Sequence, residues 1–515
     1  MVCLGNKTWV AASLLVLFFL LSGISHGLWR PDEPRVAGTC AEMARTGDFV
    51  VPHLNGKPFL EKPPLYYAAG AAAGILFGVD KDVPYRLVSL LFGLLTIITT
   101  SLIASKKGGP AMGIIAGGIL ASTWEFFLLA RWIQIDAALV FAVTLAMYAY
   151  QSLNDPRRVM YPVILGIAAG MAFMAKGLVG PAIIAGAVLI DIIRRRDIGL
   201  IWKMRPFLML SSMMIPIVPW IIAVWNRGGW PFIREVIVVN NLMRFTGAPE
   251  GAALGHQNGL FYYFMHLPGG ILPWTLIFIP ALIASLKDIR EDPYICWFIG
   301  PFILFTIAST KRGLYLVPLY PAIACMTAGW LGTTLRAKWE NTLADITLGV
   351  SILGCFTPFI GIFLGLPLLG TVMGLSAVSY LVFITRSTLK RHRGISLVMI
   401  MCMAVFTNSA VYFQYMKPDK DYLGFARQAS AAAGHRDINL INPDESLRGV
   451  FSMVMGRTCK EVGLPPSIMH EGIYLWAEKN DTIMKALTRQ SSVKILMEKN
   501  LGQKKIRLTY IVPET

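Results

Sequence analysis

Two short stretches of this 515-residue chain carry most of the residues able to do chemistry, Pro31-Asp32-Glu33-Pro34-Arg35 and Glu61-Lys62-Pro63-Pro64. Between Trp29 and Tyr67 there are five acids and five bases, in a chain that is only 15% charged. Pro31 can start a helix, which puts Asp32 and Glu33 in a first turn whose dipole favours acids. Asp32 and Arg35, three apart, then share one face. The paired prolines keep Glu61 and Lys62 out of a helix and present both from a stiff segment. Carboxylates of this kind serve as general base or metal ligand, and the cations can grip a phosphate. The plainer alternative is a charge cluster on an interfacial helix, followed by a turn into the next one.

Further candidates are scattered along the chain. Asp136 follows Arg131-Trp-Ile-Gln-Ile, and Lys176 separates two apolar runs. His256 lies in Gly-His-Gln-Asn-Gly, and Lys311 in Ser309-Thr-Lys-Arg-Gly-Leu-Tyr. Each has a structural alternative. Asp136 could pair with Arg131, Lys176 could snorkel, His256 could be a lone loop histidine, and Lys311 could sit in an ordinary turn. Charge at a membrane edge is costly unless paired or used, so convergence of these groups on one face would mark a site.

The elements that must position them are membrane helices. The chain is 55% hydrophobic, with mean hydropathy +0.57. Its apolar runs are long enough to cross a hydrocarbon core of roughly 30 Å. One spans about 8–28, read as a retained first span rather than a cleaved signal. The others lie near 84–104, 110–130, 135–152, 159–175, 178–193, 206–225, 266–286, 293–309, 314–335, 343–364, 366–384 and 395–416. That makes about thirteen transmembrane helices in an all-α polytopic fold. The runs do not alternate as barrel strands would. With the N-terminus inside, the inside loops and Lys7 carry eighteen Lys and Arg, as the positive-inside rule requires. These topogenic bases account for much of the net charge of +17, and nucleic acid is not expected as a partner.

On this topology Asp32, Arg35, Glu61, Lys62, Asp136, Lys176, His256 and Lys311 all fall outside, which is the expected active face. The first outer loop, 29–83, should contain interfacial helices, one over 64–79. Residues 1–416 form the transmembrane domain and 417–515 a separate outer domain. That tail has 15 Lys or Arg and 11 Asp or Glu, with a helix over 420–433 and strands at 438–441 and 506–512, which predicts a small α/β unit. The seven cysteines show no metal spacing, and spacing gives no support for a Cys40–Cys459 disulfide. Gly-rich 110–121 predicts close helix packing.

From about Leu28 to Tyr320 the chain resembles the bacterial aminoarabinose transferases and their relatives. These are GT-C-type membrane glycosyltransferases that also include the protein O-mannosyltransferases. The resemblance is carried by LWRPDEPR, GDFVVPHLNGKPFLEKPP, the Asp136 turn, MAKG at 174–177, NNLMRF at 240–245, GHQNGLFYYF at 255–264, the turn 270–274 and STKRGLYLVPLYP at 309–321. It implies transfer of one sugar, with inversion, from a polyprenyl-phosphate donor to lipid A, protein or another envelope glycan. The reaction would take place on the periplasmic face of a bacterial inner membrane, among its membrane lipids. It implies Asp32 as catalytic carboxylate with Asp136 nearby. Arg35, Lys62, Lys176 and Lys311 would hold the donor phosphate. Glu61 and His256 are then candidate ligands for a divalent metal (Zn, Mg or Mn). The chain departs from the family at Leu314, where proline is common, and at Val36, where tyrosine is frequent. A hydroxyl acceptor would need Asp32 as base; an ionised phosphate acceptor would not.

A transporter or flippase for a polyprenyl-phosphate lipid would share the spans and the cations. It should also show polar residues at mid-membrane on paired broken helices, and that pairing is missing from the sequence. A non-catalytic scaffold would not need these particular acids.

Overall fold

The computed structural model describes residues 6–24, 26–154, 159–249, 258–332, 338–387, 393–434, 436–463, 470–478, 482–488 and 491–513. Each apolar run read from the sequence is helical over most of its described residues. The elements nearest the site are α1 (Asn6–Leu21), α2 (Asp32–Thr46), α3 (Leu65–Phe77), α4 (Val83–Ser122), α5 (Trp124–Leu129), α6 (Asp136–Tyr150), α7 (Met160–Lys176) and α8 (Val179–Arg195). Among the described residues six helices are long and apolar enough to cross a bilayer, or seven if a bent pair counts as one span. The remaining runs form shorter apolar helices such as α6, α7 and Tyr294–Ile307. Large apolar side chains point outward along them, including Phe207, Met265, Phe363 and Leu368, each more than three-quarters exposed. Such a surface suits lipid.

Two runs differ in detail from expectation. The run at 266–286 is not one straight span, because Tyr262–Gly270 and Thr275–Lys287 meet at 118°. Gly269, Gly270 and Pro273 break the ladder there, and the Trp124 backbone N–H donates to the freed Leu272 carbonyl. The first helix ends at Leu21, short of 28, because Gly23 takes a positive φ of 72°. α1 nonetheless belongs to the bundle. The Arg131 guanidinium donates to the Phe19 and Ser22 carbonyls at its C-terminal end, and the Tyr380 hydroxyl donates to the Ala11 carbonyl. A cation at a helix C-terminus meets the dipole and its orphan carbonyls together.

α4 contains two of the predicted spans. They fold back at Gly108–Gly109, where Gly109 has φ 72° ahead of Pro110. The arms run antiparallel and nearly touch. A Cβ on Gly113 would lie 2.7 Å from the Ser101 carbonyl oxygen, and one on Gly117 2.3 Å from Ser101 Oγ. This is the close packing that the Gly-rich stretch predicts.

The tail forms an α/β unit. Helices Tyr422–Ala432 and Glu445–Met455 accompany a five-stranded mixed sheet. The strands are β3 (Ile438–Ile441), β4 (Glu461–Val462), β5 (Gly472–Glu478), β6 (Ser491–Leu501) and β7 (Lys504–Pro513). β1 (His53–Leu54) and β2 (Lys57–Pro58) form a small hairpin between α2 and α3. β3 pairs parallel with β4 and β5, while β7 runs antiparallel between β5 and β6. Cys40 and Cys459 are buried free thiols.

The unit is bolted to α2. Gly38 and Gly449 bring two backbones into contact, since a Cβ on Gly38 would fall 2.4 Å from Gly449 Cα. Arg45 donates to the Ser452 carbonyl at 3.1 Å, and Asn55 exchanges two hydrogen bonds with the Cys459 backbone.

Candidate active site

α2 begins as its sequence requires. Pro31 precedes it, Asp32 and Glu33 occupy its first turn, and Gly47 ends it in the left-handed conformation. The two acids point to different partners. Glu33 is fully engaged in the interior. Its Oε1 accepts from Arg86 Nη2 (2.9 Å) and the Ile133 N–H (3.1 Å), and its Oε2 accepts from the Trp29 N–H (2.8 Å). Burial raises its pKa, but Arg86 and His26 outweigh that and hold it at about 2. Glu33 therefore ties α2 to α4 and to the turn ahead of α6, and sets where Asp32 points.

Asp32 faces a polar cavity. Its Oδ1 accepts from Arg35 Nη2 at 2.6 Å, the i,i+3 pair read from the sequence. Its Oδ2 accepts from Gln134 Nε2 at 2.8 Å and Arg312 Nη2 at 2.9 Å. Burial pushes its pKa up, yet Arg35 and Arg312 bring it below the ordinary value, so the carboxylate is ionised and weakly basic.

The cavity brings together Asp32, Arg35, Glu61, Lys62, Asp136 and Lys176, six of the eight residues singled out in the sequence. Glu61 Oε2 accepts from Arg35 Nη1 and Oε1 from Arg244 Nη1, both at 2.9 Å. Burial raises the Glu61 pKa, but Lys62, Arg35 and Arg244 together drive it far below the carboxylate range. Lys62 Nζ donates to the Glu61 carbonyl at 3.0 Å. Asp136 pairs with Lys176, whose ammonium also lies 4.2 Å from the Tyr315 ring centroid. Asp136 is thus not the partner of Arg131, which caps α1 instead. At Gly177 the chain turns with φ 65° so closely against Asn241 that a Cβ would clash at 2.5 Å. That turn sets the end of α7 and hence Lys176.

Two expectations about site residues change. Lys311 does not line the cavity: its ammonium turns back to the Ala308 carbonyl at 2.6 Å, and the neighbouring Arg312 supplies the cation. Glu61 is a poor metal ligand, because both of its oxygens already accept from guanidinium groups. Among the described residues no group of three His, Cys, Asp or Glu could hold a metal. His256 lies outside the described residues.

Sequence reasoning missed Gln134, Arg244 and Arg312 as site residues. Each sat inside a motif already noted, but nothing in local periodicity pointed it inward. Arg35 Nη1 also reaches Glu445 of the tail unit at 2.8 Å, a contact bridging 410 positions.

A second, apolar cavity of about 280 Å³ adjoins the polar one. Both are lined by Lys62, Lys176, Arg244 and Tyr315, and the apolar one continues along Leu178, Val179, Ala182, Phe245, Leu304 and Phe305. The polar cavity is only about 30 Å³, so a sugar would need one of the bridging ion pairs to open.

This architecture, a bundle of apolar helices with a polar site built between the loop after its first helix and the ends of α6 and α7, and a small sheet unit beside it, is the GT-C fold. It superposes on the crystal structure of ArnT from Cupriavidus metallidurans bound to undecaprenyl phosphate. The TM-score is 0.81, at 19% identity, over 98% of each chain. The apo form of that protein gives 0.76, at 20% identity, over 97% of each. Mycobacterial arabinofuranosyltransferase AftD gives 0.54, at 11% identity, over 99% of this chain and 40% of that one. In sequence, residues 61–223 match the family described as dolichyl-phosphate-mannose-protein mannosyltransferase. The undecaprenyl phosphate-alpha-4-amino-4-deoxy-L-arabinose arabinosyl transferase of Edwardsiella ictaluri is 29% identical over 66% of this chain and 62% of its own. The second such enzyme of Proteus mirabilis is 27% identical over 66% and 64%. The match thus spans a little under two thirds of these relatives. The resemblance to aminoarabinose transferases read from the motifs is borne out.

Proposed function

We propose that the chain is a membrane glycosyltransferase that moves one sugar from a polyprenyl-phosphate donor to an acceptor on the periplasmic face. The observation that carries this reading is the junction of the two cavities. An apolar groove suited to a prenyl tail runs into a polar pocket at Lys62, Lys176, Arg244 and Tyr315. A phosphate held there would present its sugar toward Asp32. The acceptor oxygen attacks C1 of the sugar. The bond from C1 to the phosphate oxygen breaks, and the lipid phosphate leaves with the electron pair. Preorganised cations around that oxygen are worth a few kcal/mol each in such a step.

Asp32 favours one acceptor class. With three hydrogen bonds from Arg35, Arg312 and Gln134 and a lowered pKa, it is a weak base. An ionised acceptor such as a lipid A phosphate brings its own nucleophile and leaves Asp32 to orient the guanidiniums and balance developing positive charge at C1. Relatives whose names describe aminoarabinose transfer from undecaprenyl phosphate support the same donor class. Deleting the gene and profiling lipid A by mass spectrometry tests the reading. Loss of one sugar mass supports it. An unchanged lipid A moves the acceptor to protein or another envelope glycan, to be sought in the glycoprotein fraction.

A further inference from the structure

A cavity of about 260 Å³ lies at the far ends of the helices that build the transfer site. α6 starts at Asp136, in the transfer site, and ends at Tyr150, in this second cavity. α8 likewise runs from Val179, in the apolar groove, to Asp191 and Arg195. The two sites are therefore separated by the length of a helix, roughly 20 Å or more.

Four cations line the second cavity: Lys106, which donates to Ser152 Oγ and lies 3.8 Å from the Tyr148 ring centroid, Arg195, which pairs with Asp191, Lys203, 3.8 Å from Asp197, and Lys107. Asp191 and Glu291 also line it. Asp191 is already satisfied, by Arg194 Nε at 2.8 Å, Arg195 Nε at 3.0 Å and the Tyr150 hydroxyl at 2.7 Å. The Gln151 amide nitrogen, by contrast, is buried without a hydrogen-bond partner among the described residues. A lining in which cations outnumber acids, with an unsatisfied amide donor close behind it, suits an anionic oxygen ligand.

The surroundings say which source supplies it. The short helix Gly199–Lys203 brings Lys203 to the cavity, and around it Ile198, Trp202 and Phe207 are 71%, 67% and 83% exposed. Apolar and aromatic side chains beside lysines are the pattern of a segment lying in the membrane interface. The cavity mouth then stands at headgroup depth.

We propose that this cavity binds the phosphate of an anionic phospholipid headgroup, on the face opposite the transfer site. The test uses full-length protein, delipidated in detergent and then offered phosphatidylglycerol or phosphatidylcholine, with retained lipid counted by native mass spectrometry. Phosphatidylglycerol is expected to be retained in preference. The Lys107→Gln/Lys203→Gln variant should weaken it by about fivefold per charge removed, roughly 25-fold in all. Gln151→Leu, which changes no charge, should weaken it as well, with the melting temperature reporting that both variants fold. Equal retention of the two lipids, or phosphatidylglycerol retention untouched by both variants, would overturn the proposal. Displacement of phosphatidylglycerol by low-millimolar inorganic phosphate would overturn the lipid source and reassign the site to a soluble anion.

Discussion

Arg312 Nη2 lies 2.9 Å from Asp32 Oδ2, while the ammonium of its neighbour Lys311 is bound to the Ala308 carbonyl. Adjacent cations in one turn therefore have different jobs. Arg312→Ala is expected to lower kcat at least a hundredfold in proteoliposomes, about 2.7 kcal/mol or more of lost charge stabilisation. Lys311→Met should stay within a few-fold. Comparable losses in both variants would mean that the turn acts only as a structural unit.

Asp32→Asn keeps the size and one acceptor but removes the charge that orients Arg35 and Arg312. Transfer should be abolished while expression and melting temperature stay close to the parent. Full activity would remove Asp32 from the reaction.

Glu33 is expected to behave in the opposite way. It is buried against the buried Arg86, whose other carboxylate partner is Asp82, so Glu33→Gln removes one of the two counter-charges of that guanidinium. Breaking a buried pair outright costs about 3–5 kcal/mol; with Asp82 still in place the loss should be smaller, and a thermal melt in detergent would detect it. Glu33→Met with Arg86→Met should recover much of the loss. The pH sign follows from a folded pKa of about 2 against an ordinary 4.5. The stability Glu33 contributes is complete above about pH 4.5 and is lost as pH falls toward 2. A melt that is flat across that range would contradict the pairing.

Washing with EDTA is expected to leave transfer unchanged, because both Glu61 oxygens already accept from guanidinium groups, those of Arg35 and Arg244. Activity lost on chelation and restored by one of Zn, Mg or Mn would reinstate the metal reading at Glu61 and His256.

Much of the site was legible because its motifs are local. Asp-Glu-x-Arg after proline defines both the start of α2 and the Asp32–Arg35 pair. Glu61-Lys-Pro-Pro defines a turn that α3 follows, and Ile506 to Val512 alternates as β7 does. The partners brought in from a distance were not legible. Whether Lys311 or Arg312 faces Asp32 depends on one residue of register in a turn without periodicity. The nearest cation in sequence to Asp136 is Arg131, but α1 needed a cap and claimed it, leaving Asp136 to Lys176. The Glu445 contact needs the docking of Gly38 against Gly449, which no pattern within either helix announces.

Lys62 gives the sharpest pH test. Burial lowers its pKa, Glu61 opposes this, and Arg244, Lys176 and Arg35 push it down further, to about 7. Without donor, the ammonium is disfavoured relative to an ordinary lysine at 10.5, so this group costs stability below pH 7 and ceases to do so as pH rises toward 10.5. Donor binding works with the opposite sign, because the phosphate needs the protonated form. Affinity for a polyprenyl-phosphate sugar should be full below about pH 7 and fall by up to tenfold per unit above it, until the pKa of the bound state is passed. The donor is a phosphodiester, with no phosphate proton titrating there, so the change belongs to the protein. Isothermal titration or a filter assay between pH 6 and 9 reads it directly. Lys62→Gln should bind weakly and without that slope. A parent profile that is flat over this range would show that Lys62 stays charged throughout, held by Glu61 more strongly than burial opposes it.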